Sequence, residues 1–404
     1  MYQAAEQTMK QELGEQTRAW LEIDLDRLVT NVRIIREATR HDCHIMAVVK
    51  ADGYGHGAAQ IAPVLLDSGV DQLAVAFLDE AIELRQSGIE APILILGHTD
   101  GSRVKALLDY RLMPTVYSCE LAEALAHCAA QRSVRAPVHI KIDTGMSRIG
   151  FPMNEETIRQ IRWIQDQPNL KIEGIFTHFP SADDPEPFYT RRPFDAFTTF
   201  CKQLEQAGVD LPLRHVCNSA ASMRFPDMHL DMIRPGLILY GMVPKGCPEI
   251  WSGLQPVMSL KTRVIRTRTL PAGSSIGYGH ETVLTRERTI ATLGIGYADG
   301  YLRRLDRSAV VMIRGERAPL IGKICMDMCM VDVTDIDGGP VQSGEEVLLF
   351  GPYNHNDQQG LSVDTIAAWQ DTINYEVTCI MGRRLPRIYI RNEAIVQIRN
   401  ELHR

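Results

Sequence analysis

No Cys-x-x-Cys pair and no His-Glu-x-x-His occurs anywhere in this 404-residue sequence. The nine cysteines are an odd number and scattered, with Cys325 and Cys329 the nearest two. Neither a disulfide framework nor a zinc site fits that spacing, so reduced thiols in a cytoplasmic protein are the expectation. No apolar run approaches the roughly 20 residues that a membrane helix needs. The opening MYQAAEQTMKQELGEQTRAW is polar and lacks the apolar centre of a secretory signal. A basic excess is missing too: 43 Lys and Arg stand against 50 Asp and Glu, a net charge of -7 with the signs mixed along the chain. That argues against a nucleic-acid footprint or a polybasic membrane patch, and leaves a small molecule as the expected partner.

The stretch that organises the rest is HIMAVVKADGYGHG, His44 to Gly57. Its apolar run, rich in valine and isoleucine and cut off by glycines, reads as a fully buried parallel strand. Lys50 at its end stands where α/β enzymes keep their chemistry, although a lysine can also snorkel to the rim of a core. From here short apolar runs alternate with helical patterns. The runs are IMAVV at 45–49, LAVAF at 73–77, PILILG at 92–97, PTVYS at 114–118, VHIKID at 138–143, IEGIFTH at 172–178, RHVCNS at 214–219 and MIRPGLILYG at 232–241. Eight alternations predict a β/α (TIM) barrel. An open doubly wound sheet has the same local pattern, but the count of eight and the lack of a Gly-x-Gly-x-x-Gly after the first run favour the barrel.

The length allows two domains. Residues 1–17 read as a polar tail and 18–254 as the α/β barrel domain, beginning with a short strand at Trp20–Leu25. Asp26 is the expected cap of a helix whose face carries Leu28, Val32, Ile35 and Ala38. After Leu254 the texture changes to strand-like runs separated by Pro-Ala-Gly and Asp-Gly-Gly turns, with one helix near Ser362 to Gln370. Residues 255–404 therefore read as a mostly β domain.

In a β/α barrel the active site lies at the C-terminal strand ends. Lys50 and Tyr54 follow the first run, Arg148 the fifth and His178 ends the sixth. Ser219 ends the seventh, and Arg234, Gly236 and Leu237 sit within the eighth. Singly, His178 reads as a core histidine, Arg148 as an ion-pair partner and Ser219 as a helix cap. As a set on one rim they make chemical sense. A lysine amine forms a Schiff base with an aldehyde, and Ser219 with the amides near Gly236 could hold a phosphate. Together they point to pyridoxal 5'-phosphate.

The motifs AVVKADGYGHG, KIDTGMSRIG, THF, NSA, RPGLILYG, GYGHETVL, GIGYADGYLRRL, CMDM and TINYEV run in order from Ala47 to Val377. In this combination the chain resembles the pyridoxal-phosphate-dependent alanine racemases. The resemblance implies a homodimer with shared active sites, interconverting L-alanine and D-alanine for peptidoglycan precursors or for alanine catabolism. It implies that Lys50 carries the cofactor and is the base on the D-face, while Tyr278 of the other subunit is the base on the L-face. Tyr54, Ser219, Gly236, Leu237 and Tyr375 match the phosphate cradle. Arg148 matches the contact to the substrate carboxylate, Met326 the backbone contact to substrate from the partner subunit, and Tyr297 and Tyr375 the entry channel. Arg234 faces the pyridine nitrogen in this family, and His178 sits by the ring and ties Arg234 toward Tyr278. Lys141 aligns with a lysine that is carbamylated in many members. The rival readings are a decarboxylase of the same architecture and a non-catalytic cofactor carrier. The first lacks its cysteine-and-aspartate segment here, and the second would stop before the β domain.

Overall fold

The computed structural model describes residues 17–244, 246–247, 253–307, 309–352 and 360–402. The tail expected over residues 1–17 lies, apart from Thr17, outside the described residues. Residues 28–255 make one compact unit; the chain up to Arg27 and from Pro256 onward makes the other.

All eight predicted barrel runs are strands, and all are parallel. They are β2 (His44–Val48), β3 (Gln72–Val75), β4 (Ile93–Ile95), β5 (Met113–Val116), β6 (Ala136–Lys141), β7 (Leu170–Phe176), β8 (Arg214–His215) and β9 (Met232–Ile233), with β1 (Ala19–Asp24) preceding them. Their order is β8-β7-β6-β5-β4-β3-β2-β9. Backbone bonds from Asp231 N to Arg214 O (3.1 Å) and from Arg234 N to Cys217 O (2.9 Å) draw β9 to β8, so the sheet nearly closes. Ile45, Ala47, Leu73, Ile93, Leu94, Val138 and Ile140 are fully buried, as strands covered on both faces require. The last two strands are shorter than their apolar runs. Asn218 ends the seventh run by capping the helix Ser219–Arg224, its side chain accepting from Ala221 N at 3.0 Å. Pro235 and Gly236 end the eighth, and Leu237–Tyr240 turns into a 3-10 helix.

Two expectations near the start of the chain are corrected. The strand β1 was expected to open the barrel domain at residue 18. It is paired instead in the sheet of the other unit, antiparallel to β10 (Met258–Leu270) and parallel to the strand Arg387–Arg391. Trp20 packs there on Ile388 and Ile390, beneath the Arg263 guanidinium at 5.1 Å from its ring. The cap of the following helix, Leu25–Glu37, is Asp24 rather than Asp26. Its Oδ1 accepts from Asp26 N and Arg27 N, both at 3.0 Å. Leu28, Val32 and Ile35 form the buried face as expected, but Ala38 falls past the helix and is exposed.

The second unit is built on the long strand β10. Its first half pairs with β1 and with Glu346–Phe350; after a bulge between Val264 and Arg266 its second half pairs with Arg288–Leu293. The expected helix is present at Val363–Gln370, with the Ser362 hydroxyl accepting from Thr365 N. A second, Asn374–Cys379, follows it and carries Tyr375.

Candidate active site

The barrel's chemical end begins at Lys50, two residues past the end of β2. Ala51, Asp52, Gly53, Tyr54 and Gly55 then hold five consecutive positive φ values of 53°, 53°, 64°, 53° and 84°. A left-handed conformation costs a non-glycine residue about 1–2 kcal/mol, so this turn stands only because other bonds fix it. Glu80 Oε1 accepts from Ala51 N at 2.6 Å, and Asp52 Oδ1 accepts from Ala58 N at 2.9 Å. The turn is braced from behind by His56 stacked on Tyr240 at 4.4 Å, while Tyr240 donates to Val48 O at 3.2 Å. Its effect is to fold Tyr54 back over the barrel, where the ring is buried.

The Tyr54 hydroxyl meets Gly236 there. A Cβ built on Gly236 would fall 2.7 Å from Tyr54 Oη and 3.4 Å from Val48 Cβ, so a larger residue would have to displace the phenol. Gly236 N–H donates to Ser219 Oγ at 2.9 Å. Two hydroxyls and an amide thus converge where the loops after β8 and β9 meet, and Leu237 is buried beneath them. This is the donor set that a phosphate monoester needs, and the late loops of a β/α barrel are its usual place.

Arg234 is buried beside this cradle and has no carboxylate partner among the described residues. Neutral groups solvate it instead. Nη2 donates to Thr177 O (2.8 Å) and Val216 O (3.0 Å) and lies 3.5 Å from His178 Nδ1, while Nη1 donates to His215 Nδ1 at 3.1 Å. Burial pulls its pKa down to about 10, which still leaves it charged at neutral pH. An arginine can only donate, so the remaining protons are ordered. His215 accepts at Nδ1 and donates from Nε2 to His139 Nδ1 at 2.9 Å. Burial, reinforced by Arg234, drives His139 down to about 3 and His178 and His215 well below the usual histidine range. All three imidazoles are therefore neutral, and the guanidinium charge stays uncancelled.

Lys141 belongs to the same floor. It is buried, with Nζ 4.6 Å from the centre of the Phe176 ring. Burial, then Arg234 and Arg148, push its pKa down to about 7. Arg148 is exposed on the loop after β6, a loop shaped by Asp143 Oδ1 accepting from Gly145 N and Ser147 N. His139 and His215 escaped the sequence reading. His139 stands two residues before Lys141 on β6, so strand alternation puts both on one face, which was the available signal.

The barrel unit thus carries Lys50, Tyr54, Lys141, Arg148, His178, Ser219, Arg234, Gly236 and Leu237. Tyr278, Tyr297, Met326 and Tyr375 belong to the other unit. Tyr278 follows Gly277 and is 70% exposed; Met326 is 53% exposed. A cavity of about 410 Å³ beside Tyr278 is also lined by Arg268, Leu270, Cys325 and Met330.

A nearly closed ring of eight parallel strands, with a lysine after the first and the Ser219 hydroxyl and Gly236 amide after the last two, defines a β/α-barrel enzyme. Here the barrel is joined to a mostly β unit. Residues 23–244 match the family model of the alanine racemase N-terminal domain, and residues 257–389 that of its C-terminal domain. The alanine racemase of Clostridium tetani is 46% identical over 385 residues, 94% of this chain and 97% of the relative. Alanine racemase 1 of Clostridium acetobutylicum is 44% identical, with coverage of 94% and 97%. Among solved structures, the alanine racemase of Clostridium difficile superposes with a TM-score of 0.90 at 39% identity, covering 95% of this chain and 99% of that one. The Bartonella henselae alanine racemase with covalently bound pyridoxal phosphate has a TM-score of 0.82 at 28% identity, covering 93% and 100%. The chain belongs to the alanine racemase family.

Proposed function

We infer that the chain racemises alanine with pyridoxal phosphate, as a homodimer in which each barrel works with the β unit of its partner. The observation that carries the reading is Lys50 at the end of β2, four residues before the Tyr54 that closes the Ser219–Gly236 cradle. The cradle would hold the phosphate, Lys50 the aldehyde carbon, and Arg234 the ring nitrogen. When bound, the cofactor draws electrons from an amino acid and acidifies its α-C–H. Lys50 Nζ takes or returns that proton on the D-face, and Tyr278 Oη of the partner subunit does so on the L-face. Two bases on opposite faces are what inversion requires. Because Arg234 keeps its own protons, it would offer none to a ring nitrogen held against it, which would weaken the electron sink and limit stray transamination. Arg148 and the Met326 amide would take the substrate carboxylate, with Tyr297 and Tyr375 narrowing the entry.

Exposed apolar side chains on the β unit, Tyr278, Met326, Met328 and Ile373, support a covered face. No helix among the described residues is long and apolar enough to cross a membrane; the cytoplasmic setting rests on the sequence reading. A non-catalytic carrier would have no use for the matched C-terminal domain.

The test is L-alanine incubated with cofactor-loaded protein in deuterated water. Optical rotation should decay to zero as deuterium enters the α-position. Deuterium entry with persistent rotation would remove Tyr278 from its role, and the absence of both changes would overturn the racemase reading.

Two further results are expected. Gly236→Ala places a methyl against Tyr54 Oη, and cofactor affinity of the apoprotein, read by fluorescence titration, should fall at least about tenfold, roughly the loss of one charge-assisted hydrogen bond. Wild-type affinity would remove Gly236 from the cradle. Carbon dioxide adds to a neutral amine, and the Lys141 amine is neutral above about pH 7. With ¹³C-bicarbonate at pH 8, a carbamate resonance is expected that Lys141→Met abolishes. Its absence from the wild-type protein would leave Lys141 unmodified.

A further inference from the structure

We propose that Arg18, Asp299 and Arg384 form an ion-pair hub that positions Tyr297 and the Met326 amide for substrate. The assignment rests on the racemase reading and adds residues that make no contact with substrate in it.

The Asp299 side chain is fully buried in the β unit. Arg18 grips it with both nitrogens, Nη1 to Oδ2 at 2.8 Å and Nη2 to Oδ1 at 2.7 Å. Arg384 Nε lies 3.3 Å from Oδ1, and Gly296 N donates to Oδ2 at 3.1 Å. Each arginine has a second task. Arg18 Nη1 also donates to Gly294 O at 2.7 Å, and Arg384 Nη2 pairs with Asp327 Oδ1 at 2.6 Å. The hub therefore holds the loop of residues 294–300 through Asp299, Gly294 and Gly296. It holds the loop of residues 325–327 through Asp327.

Those loops are laid directly on one another. Tyr297 N donates to Cys325 O at 3.1 Å and Ala298 N to Met326 O at 3.0 Å. A Cβ on Gly296 would collide with the Cys325 and Met326 carbonyls, so the approach requires glycine. The Met326 carbonyl is thereby turned to Ala298, while its own N–H has no partner among the described residues. Tyr297 is the next residue after the contact and is exposed.

The charges explain why loss of Arg18 would be felt at Met326. A buried carboxylate must be paired. Without Arg18, Arg384 is the cation left to Asp299, and drawing it inward loosens its hold on Asp327. Arg18 precedes β1, and its carbonyl is held by Arg263 N and the Thr262 hydroxyl whatever its side chain.

The experiment compares cofactor-loaded wild type, Arg18→Met and Arg18→Lys. Backbone hydrogen exchange is read over residues 296–300 and 325–328, beside kcat and KM for alanine. In Arg18→Met the Tyr297 and Ala298 amides should exchange about tenfold faster, the size of a local opening made easier. KM should rise about tenfold with kcat changed far less, the sign of a lost binding contact. Arg18→Lys should recover part of both, since an ammonium reaches one carboxylate oxygen but not two. Wild-type exchange and KM in Arg18→Met, or a fall in kcat alone, would overturn the proposal. If Arg18→Met does not fold, Asp299→Asn is read the same way, because it keeps an acceptor for Gly296 N and removes the buried charge. Failure of the wild type to racemise alanine would count against the functional reading alone, since the exchange rates test the hub independently.

Discussion

Lys50→Ala protein is expected to lose the absorbance of lysine-bound pyridoxal phosphate and at least about 10³-fold in racemisation, the combined loss of a covalent anchor and a general base. The cradle of Tyr54, Ser219 and Gly236 is untouched by the substitution, so cofactor should still bind, more weakly and reversibly. Dialysis separates the two effects: the wild type keeps its cofactor and the variant releases it. The local fold gives the test a clean background. Lys50 precedes the left-handed turn, in which Glu80 Oε1 accepts from Ala51 N and Asp52 Oδ1 from Ala58 N, bonds that the substitution leaves in place. A persistent lysine-bound band in the variant would move the anchor to another lysine, with Lys141 the first to examine.

Tyr278→Phe is the second large effect, and its signature is asymmetry. Loss of one general base costs about 10²–10⁴-fold in the step it serves. Deuterium exchange from L-alanine should fall by that range, while exchange from D-alanine, begun by Lys50, should fall much less. Equal losses in both directions would rule out the two-base division. The same variant tests the shared site. Mixing Lys50→Ala with Tyr278→Phe protein should return activity to a fraction of dimers, because one of the two sites then has both bases. No recovery, with subunit exchange demonstrated, would place both bases in one chain. Folding should be little disturbed, since Tyr278 is largely exposed in its own unit.

The residues at the strand ends were legible because strand ends are a local feature. An apolar run, a break and a polar residue can be read in a window of about ten residues. That is how Lys50, His178, Ser219 and Arg234 were found, and why the eight barrel strands fell where expected. His139 and His215 were not found. Beyond the strand face that His139 shares with Lys141, nothing local distinguishes an imidazole in a buried hydrogen-bond network from one that merely fills space. Their role appears only when β6 and β8, separated by β7, bring them within 2.9 Å. The turn after Lys50 was read as glycine-rich, but five consecutive left-handed residues, three of them not glycine, could not be. One of the bonds that hold it comes from Glu80, in the next β/α unit.

By itself the sequence determined the eight-fold alternation, the change to β texture near Leu254, and which residues stand at the strand ends. Periods of 2 and 3.6 are properties of the chain alone. Tertiary structure decided which sheet β1 joins, since an apolar strand is complementary to many edges and only long-range packing selects one. It also decided the proton order from Arg234 to His139 and the pairing of Arg18 with Asp299 across 281 positions. Buried charges and buried donors are settled by whatever partner the fold brings near, and sequence distance carries no trace of that choice.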